Sequence, residues 1–302
     1  MAKKKNYTAR LSEKELNIRF YEGLDYDFLY HKAHISYLCL ENWNDFKGFE
    51  AEHEFTYMEG DEADIKRKQA LAAEIFFTSI HLTEALFVLL LARFQPIPDW
   101  LYLTTYRTNE IFDYAKSYLN GDTSKLPNVS ETNNRDFLVK SFTVSSAKSE
   151  EDFFESYINS CDEFLKRALQ RYIEHGEYGG PYGAYKHGAR IHTGGMEIAV
   201  GLSSEEMATV ISSEYGISWI SSEEVTSNDN TVRKFKLLLN QQAIDYKESF
   251  EYILQMCNII KTLKQARIAC IRGLGASKIT VAEINLDELD GSISSQKISY
   301  SL

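Results

Sequence analysis

Residues 75–92 read IFFTSIHLTEALFVLLLA, from Ile75 to Ala92, and the fold turns on what this stretch is. Eighteen residues this apolar reach about the minimum length for a bilayer span. The run nevertheless holds His81, Glu84 and two threonines, and a charge near the middle of a span costs about 2.5 kcal/mol or more on insertion scales. The stretch therefore reads as the buried core helix of a globular protein. Its start is marked by Asp61, Glu62 and Asp64, acids that suit the positive end of a helix. Its end is marked by QPIPDW, where Pro96 and Pro98 cannot continue a helix beyond about Arg93.

Further helices follow on both sides. Residues 12–24 carry a capped amphipathic start, and 26–49, with aromatic residues at mixed spacing, read as helix. Residues 100–119 read as one helix closed by Asn120-Gly121, a C-cap pair. The polar stretch 121–147 reads as a connector with one short element. Ser149-Glu150-Glu151-Asp152 is a capping signal, and Phe153, Phe154, Tyr157, Ile158, Cys161, Phe164, Leu165, Ala168 and Leu169 repeat at three and four. Gly176, Gly179 and Gly180 end that helix, and Pro181 suits the first position of a short one reaching about Arg190.

After Gly194-Gly195 the period changes to two. MEIAVGL, YGISWISSEEV and TVRKFKLLLN read as strands, the last two joined by TSNDN as a hairpin turn. Helix returns from Asp245 to Arg272 with a broad apolar stripe. The expected fold is thus mainly α: a helical bundle of about four long helices (61–94, 100–120, 149–175, 245–272) with a small antiparallel β insertion, 196–244, before the last. One domain over 1–302 is expected, since the long helices need more cover than small local partners give. The segment 275–302, with two short strands, reads as loosely held.

A formal net charge of −11 argues against broad attraction to nucleic acid or anionic membranes. Neither a membrane nor double-stranded DNA is an expected partner. Cys39, Cys161, Cys257 and Cys270 are far apart and form no CxxC pair, so they read as reduced thiols in a cytoplasmic protein. The opening MAKKK is followed by no apolar segment and reads as a solvated tail.

The chemistry-bearing stretch is Tyr182–Gly195, YGAYKHGARIHTGG. On a helix through 181–190, Lys186 and Arg190 lie one turn apart, and His187 neighbours Arg190 at i, i+3. A guanidinium, an ammonium and an imidazole that titrates near neutrality together suit a phosphodiester or a small anion. Equally, Lys186 and Arg190 suit the ordinary role of cations near a helix C-terminus. His81 and Glu84, polar members of an apolar helix, need polar partners, since an unpaired buried polar group costs about 1–3 kcal/mol. The 185–190 helix is the expected partner, with Glu84 against His187 or Arg190. Metal binding has thinner support: Glu50-Ala-Glu-His53 gives one Glu-x-x-His, and His31-Lys-Ala-His34 gives two imidazoles on one face without a third ligand. No phosphate-loop, GxSxG, HExxH or dinucleotide signature occurs, and no metal or cofactor is assigned.

The order of a long apolar helix, further helices and a short helix bearing Lys186-His187-Gly188 resembles the HEPN superfamily, helical bundles of prokaryotic defence and toxin systems. The resemblance covers about 61–190 plus the last helix. It implies a homodimer and, in many members, a metal-independent RNase carrying an Arg followed by His after four to six residues, or an Asn-x-x-Lys-His sequence. Lys186-His187 matches the end of the second pattern, with Gly183 where Asn would stand. Arg171 and Arg167 have three and seven residues between them and His175, outside the first spacing. The resemblance implies that His187, or His175, removes the ribose 2′-hydroxyl proton while Arg190 and Lys186 stabilise the phosphorane charge. As an interaction or assembly module, the same cluster would serve as hydrogen-bonding glue or hold a small anion.

Overall fold

The structure, a computed structural model, describes residues 12–52, 60–142, 151–176, 180–186, 191–200, 208–225, 234–273, 284 and 297–301. The protein is mainly helical with a small antiparallel sheet. It divides into two compact units: Met1–Tyr26, Leu86–Asp162 and Asn258–Glu283 form the first, and Asp27–Ala85, Glu163–Cys257 and Ile284–Leu302 the second.

In the first unit, α1 (Glu13–Gly23) starts from a capping box. The Ser12 amide donates to the Glu15 carboxylate at 2.8 Å, and the Glu15 amide donates back to the Ser12 hydroxyl at 3.3 Å. The helix α4 (Asp61–Ala92) contributes its residues 86–92 to this unit, and the prolines end it as expected. The expected single helix over 100–120 is instead two, α5 (Asp99–Thr105) and α6 (Thr108–Leu119), parted at Tyr106-Arg107. Thr104 and Thr105 donate their hydroxyls to the Leu101 carbonyl at 2.8 and 3.0 Å, competing with the helical ladder where β-branched residues already weaken it. Gly121, at φ +70°, closes α6 as its sequence implies. A 3-10 turn, Thr123–Lys125, and α7 (Asn134–Phe142) fill the polar connector. Residues 151–162 of α8 (Glu151–Gly176) and 258–272 of α10 (Tyr246–Arg272) complete the unit. Its core is aromatic: Tyr118 lies edge-on to Phe87 and Phe137 at 5.8 and 5.7 Å, and Phe94 stacks on Phe137 at 5.0 Å.

In the second unit, the expected helix over 26–49 is α2 (Asp27–Glu41) and α3 (Trp43–Glu52), broken at Asn42, whose side-chain amide donates to the Leu38 carbonyl at 3.0 Å. Residues 61–85 of α4, 163–176 of α8 and 246–257 of α10 pack here with α9 (Pro181–Lys186). The Asp245 carboxylate opens α10 by accepting from the Lys247 and Glu248 amides, both at 2.9 Å. By length and composition α4 is apolar enough to cross a membrane, yet 94% of its most apolar window is buried inside the protein.

The sheet runs β1 (Ile191–Val200), β2 (Ala208–Val225), β3 (Lys234–Ala243) and β4 (Lys297–Ser301), neighbours in that order and all antiparallel. It departs from the sequence expectation at both ends. β1 starts at Ile191 rather than after Gly194-Gly195: Gly194 pairs with Gly216 inside the strand, and an extra residue of β2 opposite Gly195 makes a bulge. The sheet also extends past 244: β4, from the C-terminal segment, pairs Ile298 with Gln241. Gly216 is required at its crossing, since a Cβ there would lie 2.9 Å from the Gly194 carbonyl oxygen and 3.1 Å from that of Gln242. Ile217, Trp219, Asn240 and Gln242 form the buried face, and the Gln69 side chain of α4 donates to the Glu214 carbonyl at 3.1 Å.

Candidate functional site

The short helix α9 is held against α4 by its two tyrosines. Tyr185 stacks on Phe77 with centroids 4.3 Å apart and planes 10° from parallel, and its hydroxyl donates to Glu74 Oε2 at 3.0 Å. One turn earlier Tyr182, buried, places its ring 6.4 Å from that of His81. Glu74 is the polar centre of this contact, since its Oε1 also takes Lys32 Nζ of α2 at 2.6 Å and the Thr78 hydroxyl at 3.2 Å. Burial, and then the Glu74 charge, push the Tyr185 phenol up to about 12, so it stays a donor across the physiological range.

The short helix meets α4 through Tyr182 and Tyr185, while the expected pairing of Glu84 with His187 or Arg190 falls on residues outside those described. His81 is exposed at the edge of the contact, so it is not the buried polar group the sequence reading made it. Its place follows from periodicity: Glu74, Phe77 and His81 are spaced at three and four and share the face that α9 meets. Glu84 is buried, 1% exposed. Lys186 ends α9, while His187 and Arg190 lie outside the described residues. Sequence reasoning missed Glu74 and Tyr185. The available signal was Tyr182 and Tyr185 at i, i+3 in a six-residue helix that cannot hold itself, which calls for an acceptor on its partner.

His175 is 3% exposed at the end of α8, with Phe76 edge-on at 5.1 Å and the Gln242 amide nitrogen 3.4 Å from its Nε2. A ribose hydroxyl cannot reach so enclosed an imidazole. Arg171, one turn away, turns elsewhere: its guanidinium lies 4.2 Å over the Tyr252 ring and donates to the Ser249 hydroxyl at 3.1 Å. Arg167 pairs with Glu163 at 2.7 Å on the helix surface.

Among the described residues no three His, Cys, Asp or Glu side chains gather to hold a metal. His34 packs in a triangle of rings with Tyr30 at 5.3 Å and Phe250 at 5.8 Å, those two being 6.1 Å apart, and His31 meets Tyr30 edge-on. Of the other metal candidates, His53 lies outside the described residues and the side chain of Glu50 is not among those described. A hollow beside the Gly194-Gly195 bulge, lined also by Met196, Gly216 and Gln241, measures about 20 Å³, room for one water molecule.

The first unit holds a polar cluster of its own, which the sequence reading did not single out. Arg267 of α10 is 2% exposed. Its Nε donates to the Ser141 carbonyl at 3.2 Å, and its Nη1 donates to the Tyr21 hydroxyl and lies 3.4 Å from Asp99 Oδ2. Tyr21 in turn donates to Asp99. Burial pushes the Tyr21 phenol well above its ordinary value, the Arg267 charge opposing. One guanidinium thus ties α1, α5, α7 and α10 together.

Comparison with family models, with curated proteins and with solved structures finds no match to this chain.

Proposed function

We propose that the chain is a HEPN-like helical-bundle protein of the prokaryotic defence or toxin type, working in the cytoplasm as an interaction or assembly module. The observation that carries this reading is the outer face of α2, where Phe28, Ile35 and Leu38 are 65%, 63% and 45% exposed on a single helix. Apolar side chains grouped this way mark a surface built for a protein partner. The acidic balance of the chain supports a protein rather than a nucleic-acid partner. The internal pairing of Glu74 with Lys32 and Tyr185 supports α9 as a braced structural element. The test is the mass in solution, by light scattering across a concentration series: the reading expects particles heavier than 34.7 kDa as concentration rises, and a constant monomer mass with no partner-dependent change counts against it.

A second reading is a metal-independent endoribonuclease in which His187 and Arg190 act with Lys186. It is favoured by the exposed imidazole of His81 beside the helix that ends in Lys186. His81 lies beside Tyr182, in the first turn of that helix, and a phosphodiester or other small anion would be held at the other end, by Lys186 with His187 and Arg190. Incubation of the purified chain with total RNA in EDTA decides it. Cleavage by the wild type and none by His187→Ala supports the nuclease; equal absence of cleavage in both removes it.

A further inference from the structure

We propose that α2 is a self-association seam on which a second copy of this chain lays its own α2 antiparallel, so that Phe28 meets Leu38 of the second copy and His31 meets its Ile35. This rests on the assembly reading above and names its partner.

The first argument is spacing. Phe28, His31, Ile35 and Leu38 follow one another at three, four and three residues, the a and d positions of a heptad, and all four are exposed. Ala33, Ser36 and Leu40, on the opposite face, are buried against the protein. The seam is therefore a helix ridge already fixed on its far side, which lowers the cost of ordering it on contact.

The second argument is self-complementarity. A two-fold interface must place residue i on j and j on i. An axis crossing α2 at Ala33 does so for the whole stripe, exchanging Phe28 with Leu38 and His31 with Ile35. The large ring at one end then fills against the smaller aliphatic chain at the other, and each imidazole packs on an aliphatic neighbour. In a parallel pairing the imidazoles would face each other.

Charge gives the third argument. A chain at −11 repels its own copies, so association is confined to a place where local charge is already balanced. The flanks of α2 are such a place: Lys32 Nζ is 2.6 Å from Glu74, and Glu41 Oε1 is 2.9 Å from Lys247 Nζ and accepts from the Tyr246 hydroxyl at 2.7 Å. The antiparallel arrangement carries Asp27, at the start of α2, towards the Glu41–Lys247 ion pair of the second copy. Helix dipoles also favour the antiparallel pair.

Four layers on a helix about 22 Å long form a small interface, so the dimer is expected to be weak, with a dissociation constant roughly in the micromolar range. Sedimentation velocity over a concentration series is the experiment, comparing the wild type with Ile35→Glu. The substitution alters only the outer face of α2, and circular dichroism checks that the fold is kept. The wild type should dimerise, and Ile35→Glu should weaken dimerisation on the order of tenfold, since losing the aliphatic contact and desolvating the carboxylate outweigh what the facing imidazole returns. Orientation is read separately, in a Cys39→Ser, Cys270→Ser background: Phe28→Cys mixed with Leu38→Cys should give the mixed disulfide in preference to either homodimer. A dimer unaffected by Ile35→Glu overturns the seam and leaves the assembly reading standing. Homodisulfides in place of the mixed species overturn the antiparallel order. A wild-type chain still monomeric at about 100 μM overturns the second copy as the occupant.

Discussion

Replacing Arg267 with Met is the most demanding test of how the first unit is held. The change keeps most of the buried stem and removes the guanidinium. Three contacts go with it: the Nε bond to the Ser141 carbonyl at 3.2 Å, the bond to Tyr21, and the approach to Asp99 at 3.4 Å. Asp99 is left with the Tyr21 hydroxyl but without its cation, and its side chain is only 15% exposed. Removing one member of a buried pair costs about 3–5 kcal/mol, mostly from the charge left behind. Asp99 retains some solvent and one donor, so about 3 kcal/mol is expected. For a chain of this size that is a fall of roughly 1 M in the urea midpoint. Trp100, next to Asp99 in the same unit, gives a fluorescence signal for it. In the double variant Arg267→Met, Asp99→Asn no carboxylate remains to be uncompensated, so the two changes should cost less than their sum by about 1 kcal/mol or more. A single variant within about 0.5 kcal/mol of wild type, or strict additivity in the cycle, would refute the assignment of this cluster as a structural clamp.

Other outcomes follow from the second unit and from the surface. Tyr185→Phe keeps the stack on Phe77 and removes the donor to Glu74, so it should cost about 1.5–3 kcal/mol in chemical denaturation, whereas Tyr185→Ala should cost more because the ring contact is lost as well. Gly216→Ala places a Cβ 2.9 Å from a backbone oxygen that cannot swing aside, and should destabilise by about 1–3 kcal/mol, read as a lowered urea midpoint and faster amide exchange in β1–β3. The carboxyls of Glu15, Glu41 and Asp64 are held below the ordinary range, first by the Ser12 backbone bond, the Tyr246 hydroxyl and the Lys47 ammonium respectively. A carboxyl lowered on folding lends stability that is whole above its unfolded value, near 4, and is lost as pH falls through the folded one. The urea midpoint should therefore drop from about pH 5 to pH 3, and less steeply when the three are replaced by Gln, Gln and Asn.

What the sequence made legible were features written in neighbouring residues. The Ser12–Glu15 box, the acidic start of α4, its proline end, the close of α8 at Gly176 and the start of α9 at Pro181 are each local chemistry, and each stands where the residues place it. The break at Tyr106-Arg107 was missed because apolar periodicity continues across it, while the cause is two threonine hydroxyls competing for one carbonyl. β4 was left out of the expected sheet because its partner β3 lies far back in the chain, and pairing at such distance leaves no local mark. The candidate site divides in the same way. That a short helix would dock on α4 could be read from the need to cover both. That Glu74 and Tyr185, 111 residues apart, would make the bond could not. Arg267, Tyr21 and Asp99 are further apart still, the first two separated by 246 positions, and only the fold brings them together. His81 was misjudged by its company: in an apolar run it looked buried, and a helix turns every fourth residue outward.

The central claim is that the exposed ridge of α2 is an assembly surface, and hydrogen–deuterium exchange at two protein concentrations measures it in place. Amides of 27–41 should exchange more slowly at high concentration than at low, while those of α6 and α7 do not change. Identical exchange of 27–41 at both concentrations, in a sample whose mass shows no association, would contradict the account.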